Sequence, residues 1–224
     1  MNSVTKLLLE PAELESILSQ ENLLIVDVCQ PQNWQKLHLP GAVHINPSAL
    51  VCGIPPAPGK LPSLPLLQEM FASIGYKPEQ HIVVYDDEGG GWAGRFIWML
   101  DVIGHKQYSY LNGGLYAWYK EGRALTEVIV EVVPTQVQPS LDSAYTASLD
   151  DVMNSLDNPA IKILDARSAE EYAGLKSSSA RAGHIPGAVN LDWLDAMDKT
   201  NNLRLLPLPE LREKFLALGI TAQH

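Results

Sequence analysis

The 224 residues, 46% of them apolar, make up one large domain or two small ones and argue against disorder. Sixteen Lys and Arg against 26 Asp and Glu leave a net charge of −10, which speaks against nucleic acid or an anionic membrane as partner while leaving room for a small anion in a locally positive pocket. No apolar run approaches the roughly 20 residues of a transmembrane helix, residues 1–6 carry too little for a secretory signal, and the two cysteines, Cys29 and Cys52, form neither a disulfide scaffold nor a four-ligand zinc site.

In chain order, short runs rich in Val and Ile alternate with helical patterns. Residues 23–28, 42–46, 82–86 and 108–111 read as strands, and their lack of polar alternation predicts burial on both faces. Leu67, Met70, Phe71 and Ile74 recur at helical spacing, and Gly75 is placed to end that helix. Residues 95–103 predict a further helix ending at Gly104, and Asn112-Gly113-Gly114 turns into another over 115–120. Residues 126–142 hold Pro134 and Pro139 and no period, so they read as a linker, after which Ser148 is placed to cap a helix with acids in its first turn. Strands alternating with helices predict an α/β fold with a mainly parallel sheet.

The sequence also repeats itself. Asp27 at the end of the first strand is followed by His38-Leu-Pro40-Gly41-Ala42-Val43, and Asp165 is followed by His184-Ile-Pro186-Gly187-Ala188-Val189. The helix around Phe71 and Gly75 matches one around Phe215 and Gly219. The offset is 138 at the Asp, 146 at the Pro-Gly and 144 at the Phe, a drift that fits loop insertions such as residues 174–181. A period this long predicts two duplicated domains, with boundaries at 1–125, a linker over 126–145, and a second domain over 146–224. By this ruler His81 aligns with His224, and copy one continues for 41 residues past His81 to Gly122. The second copy is therefore expected to be truncated, leaving a sheet edge unpaired.

The loop 86–95, Asp-Asp-Glu-Gly-Gly-Gly-Trp-Ala-Gly-Arg, sits where α/β sheets bind ligands. Gly89, Gly91 and Gly94 fit G-x-G-x-x-G, but three acids would repel a pyrophosphate and no acid follows the next strand to hold a ribose. Asp86 reads either as a general acid/base or metal ligand or as part of a solvated acidic loop. No Cys, Ser or Thr lies between Asp86 and Arg95 to act as a nucleophile. Cys29 and Cys52 read as buried or incidental thiols, and His38 and His184 as structural residues bonded to nearby backbone.

The order of strand-Asp, His-x-Pro-Gly-Ala-Val, Ile-Val-Val-Tyr-Asp and Leu111-Asn-Gly-Gly-Leu-Tyr-Ala-Trp118 resembles the rhodanese family, and within it the tandem-domain bacterial thiosulfate sulfurtransferases. The resemblance implies two rhodanese-like domains and transfer of sulfane sulfur from thiosulfate, through a Cys persulfide, to cyanide or a thiol. It places Asp86 at the degenerate nucleophile position of the first domain and the reacting Cys near position 230, beyond His224, so that this chain has no catalytic residue of its own. Asp165, Arg167 and Trp193 are the substrate-pocket candidates, with an ion pair for the first two and a core or interface role for the third as competing readings. No cofactor and no metal are implied, and the expected molecule is a cytoplasmic monomer. The alternative is a non-catalytic binding or regulatory module of the same fold. A phosphatase on this fold would need a Cys-x5-Arg loop, which neither copy shows.

Overall fold

In the computed structural model, which describes residues 6–222 apart from 178 and 180, the Val- and Ile-rich runs become strands. The described residues divide into two units, one running to Tyr145 and taking in Thr200–Arg204, the other comprising Thr146–Lys199 and the residues from Leu205 on.

The first unit holds β1 (Leu8–Leu9), α1 (Pro11–Ile17), β2 (Leu23–Asp27), α2 (Pro31–Trp34), β3 (Val43–His44), α3 (Leu64–Ser73), β4 (His81–Tyr85), α4 (Gly91–Val102), β5 (Tyr108–Leu111) and α5 (Gly114–Lys120). The strands form a five-stranded sheet in the order β1-β5-β4-β2-β3, with every pairing parallel. Both faces of β2 and β4 are buried, as the unbroken apolar runs require: Ile25, Val83 and Tyr85 pack with Leu14, Trp34, Leu39 and Trp118, while Leu24, Val26, Ile82 and Val84 are buried on the opposite side. Gly75 lies just past α3 at φ 70°, where a helix-ending glycine belongs.

Two expected boundaries are corrected. The strand expected over 42–46 narrows to Val43–His44, because Asn46 turns the chain by accepting the Ser48 N–H at 3.0 Å. The helix expected from Arg95 begins at Gly91, because the Ala93 N–H in its first turn is satisfied by Asp86 at 3.0 Å.

The second unit holds α6 (Leu149–Ser155), β6 (Leu164–Asp165), α7 (Ala169–Tyr172), β7 (Val189–Asn190), β8 (Met197–Asp198) and α8 (Leu208–Ala217). Ser148 and Asp151 close a capping box on α6. β6 pairs with β7 in parallel, Leu164 opposite Val189 and Asp165 opposite Asn190, the same arrangement as Val26 opposite Val43 and Asp27 opposite His44. On its other edge β2 pairs with β4 over five residues, whereas among the described residues no strand pairs the second edge of β6. His224, on which the alignment with His81 rests, lies outside the described residues. Among the described residues no helix is long and apolar enough to cross a membrane.

Candidate functional site

From β2 the chain moves to β3 on one side, and from β4 to β5 on the other, so the loops after these two adjacent strands part at their carboxyl ends. Such a divergence opens the crevice where open α/β sheets bind ligands. Asp27, Cys29, Asp86 and Asp87 stand there.

Asp86 overturns the reading of a solvated acidic loop, because it is fully buried. Its Oδ1 accepts the N–H groups of Glu88 at 3.2 Å, Gly89 at 3.1 Å and Gly90 at 2.9 Å, and its Oδ2 accepts those of Gly90 at 3.1 Å and Ala93 at 3.0 Å. Burial pushes its pKa up, and these backbone donors act against that shift by stabilising the charged form. Three donors of the G-x-G-x-x-G stretch, the N–H groups of Gly89, Gly90 and Ala93, are thus already taken by a side chain of the loop itself. Behind this loop, α5 comes so close that a Cβ on Gly114 would lie 2.3 Å from the Asp86 carbonyl oxygen, which accepts the Leu115 N–H at 2.9 Å. This approach explains the Asn-Gly-Gly turn. Asp87 faces the other way and accepts the Asn33 side-chain amide at 2.5 Å.

Asp27 is also fully buried, but poorly served. Its Oδ1 accepts the Cys29 N–H at 2.7 Å, while its Oδ2 has no partner at normal hydrogen-bond length. Burial raises its pKa, opposed by the Tyr85 hydroxyl, Cys29 and the charge of His44. The Cys29 thiol is wholly buried, and burial, followed by the charges of Asp27, Asp87 and Asp86, pushes its pKa far above the ordinary thiol range. A thiol so held supplies almost no thiolate and is a poor nucleophile. Cys52 is half-buried, with its sulfur 3.4 Å from the carbonyls of Ala57 and Pro58. Both cysteines are free thiols. Among the described residues no group of three His, Cys, Asp or Glu is placed to hold a metal ion.

The two histidines of the repeated turn are packed alike. The His38 ring stacks on Trp34 with centroids 3.6 Å apart and its Nδ1 lies 3.0 Å from the Trp34 carbonyl; His184 stacks on Tyr172 at 3.7 Å with Nδ1 2.7 Å from the Tyr172 carbonyl. These contacts hold a short helix against the turn, the structural role read from the sequence.

In the second unit, Asp165 and Arg167 come together as a two-pronged ion pair, Nε to Oδ1 at 2.9 Å and Nη2 to Oδ2 at 2.6 Å. Arg167 Nη2 also donates to the Gly183 carbonyl at 2.9 Å, and the hydrogen bonds from its guanidinium, aided by its charge, hold the Asp165 carboxyl below the usual range. Both line a cavity of about 970 Å³ with Tyr172, Arg181 and His184. Trp193 does not line it; its backbone N–H bonds the Ala166 carbonyl at 3.0 Å on the turn after β7. Arg181 was not singled out in the sequence, where it sits in a Ser- and Ala-rich insertion that carries no periodic signal.

Three comparisons bear on this arrangement. The family profile described as Rhodanese-like domain matches residues 10–121 and 148–223. A protein of Azotobacter vinelandii named thiosulfate sulfurtransferase is 45% identical over 215 residues, which cover 96% of this chain and 79% of that protein. One of the same name from Pseudomonas aeruginosa is 41% identical over the same shares. Among solved structures, a 3-mercaptopyruvate sulfotransferase of Escherichia coli superimposes with a TM-score of 0.86 at 26% identity, covering 97% of this chain and 85% of that one.

Proposed function

The chain belongs to the rhodanese-like domain family, and on that premise we propose that it serves sulfane-sulfur transfer from thiosulfate, through a persulfide on a cysteine outside residues 1–224, to cyanide or a thiol acceptor. The similarity to thiosulfate sulfurtransferases along nearly the whole chain carries the reading. The reacting group must be a thiolate that attacks the outer sulfur of thiosulfate; the S–S bond breaks, sulfite leaves with the electron pair, and the enzyme keeps a persulfide that the acceptor then attacks. Asp86 occupies the corresponding loop of the first unit, and a carboxylate cannot carry the sulfur. Cys29 is buried beside three carboxylates, which disfavours its thiolate.

We assign the donor's approach to the second unit. Arg167 supplies positive charge at the end of β6, Asp165 orients its guanidinium, and Trp193 is joined to the same segment through the Ala166 carbonyl. The free edge of β6 supports a tandem architecture in which a further strand completes that sheet and its following loop bears the nucleophile. We place the reaction in the cytoplasm, with a monomer as catalyst and without nucleic acid or membrane.

Thiosulfate-to-cyanide transfer, measured on the 224-residue chain and on a polypeptide continued through a full second unit, tests this. The chain alone should be inert and the longer one active, with Arg167→Ala in the longer one raising the KM for thiosulfate. Turnover by the 224-residue chain, or inertness of both, would reject the reading; inertness of both would favour a binding module.

A further inference from the structure

We propose that the loop following β4 is a small-anion site, suited to a carboxylate or similar oxyanion, that the first unit keeps filled with its own Asp86 side chain. The inference stands on geometry and does not depend on the sulfur-transfer reading.

Four backbone N–H groups, of Glu88, Gly89, Gly90 and Ala93, converge on the one carboxylate. They lead into the N-terminus of the 12-residue helix α4, whose dipole adds positive potential. A helix start alone would be no evidence of a ligand. The independent observation is Tyr110. This residue is only 8% exposed; the Gly113 N–H points toward its hydroxyl oxygen beyond normal hydrogen-bond length, and its hydroxyl hydrogen finds no acceptor. It stands against Gly90, where an added Cβ would lie 3.1 Å from the hydroxyl oxygen. Buried hydroxyls normally find a partner, so a spare donor turned toward the loop marks a place shaped for more acceptor atoms than one carboxylate provides. Asp86 therefore behaves as a tethered ligand. It holds the loop in the anion-bound shape and denies the place to any free anion.

The test measures thermal unfolding of the whole chain in formate against chloride of equal ionic strength. Asp86→Ala keeps the Cβ and removes the carboxylate, so formate replaces the missing piece. The unfolding midpoint of the wild type should respond equally to the two salts. That of Asp86→Ala should rise with formate and not with chloride, as it does when a ligand binds the folded state alone. Adding Tyr110→Phe should raise the formate concentration needed for the same shift. An Asp86→Ala midpoint that responds no more to formate than to chloride would overturn the proposal. If that variant does not fold in either salt, Asp86→Cys decides by the ultraviolet absorbance of its thiolate after subtraction of the wild type. The introduced thiol should titrate well below the ordinary ~8.5; titration at or above that value would equally overturn it.

Discussion

Asp27 and Asp86 close adjacent strands, both without solvent exposure, and burial raises the pKa of both. They differ in what opposes that shift: Asp86 is met by four N–H donors, whereas Asp27 has an oxygen with no partner at normal hydrogen-bond length. The folded protein thus retains the Asp27 proton above the ~3.9 of an unfolded Asp. Between that value and the raised folded one, the native state binds more protons than the unfolded state, so stability falls as pH rises. Asp27→Asn removes this component. Urea unfolding from about pH 4 to neutrality should show the stability difference moving in the variant's favour as pH rises; a difference that stays flat or moves the other way would contradict the assignment. Asp86 was legible in the sequence as a residue at a strand's end. Its burial was not, because three successive acids imitate a solvated loop. The clue lay in the glycines that follow, whose bare N–H groups can fold back onto a side chain within the same loop.

At the scale of elements, α5 shows how a short motif fixes a geometry. Gly114 has φ 52°, and a Cβ there would strike the Asp86 carbonyl oxygen at 2.3 Å. Gly114→Ala therefore combines left-handed strain with a backbone clash and should cost about 3 kcal/mol or more, read from urea unfolding at constant pH; a loss below about 1 kcal/mol would mean that α5 moves away freely. The long apolar runs and the helices ending at Gly75 and Gly104 were readable because hydrophobic periodicity and glycine punctuation agree. β1, α1 and α2 went unread. A two-residue strand and a four-residue helix carry no period, and the remaining signal, proline at the first helical position of α1 and α2, is also common in turns. The stacking of His38 on Trp34 and of His184 on Tyr172 joins residues four and twelve positions apart, so the shared contact has no common sequence spacing to give it away.

At the scale of the whole molecule, the two units differ in how their equivalent strands are covered. Among the described residues β2 has partners on both edges and β6 on one. Leu164 in β6 is 38% exposed, whereas Val26, its counterpart by register, is fully buried. Amide exchange should accordingly be slow in β2 and β4 and much faster in β6 and β7, since protection follows burial and pairing. Equal protection in both units of the 224-residue chain would contradict this contrast. The sequence repeat was legible because matching blocks recur in one order. The cavity beside β6 was legible only in part, because Asp165 and Arg167 belong to a repeated block while Arg181 lies in a stretch without a periodic signal.

In the proposed function, residues 1–224 bind and orient the donor but do not carry the transferred sulfur. Intact-mass and peptide mass spectrometry of this chain after exposure to thiosulfate measures that directly. No added sulfur is expected on Cys29, which is buried among carboxylates, and none on Cys52; a stable gain of one sulfur atom on either cysteine would refute the proposal.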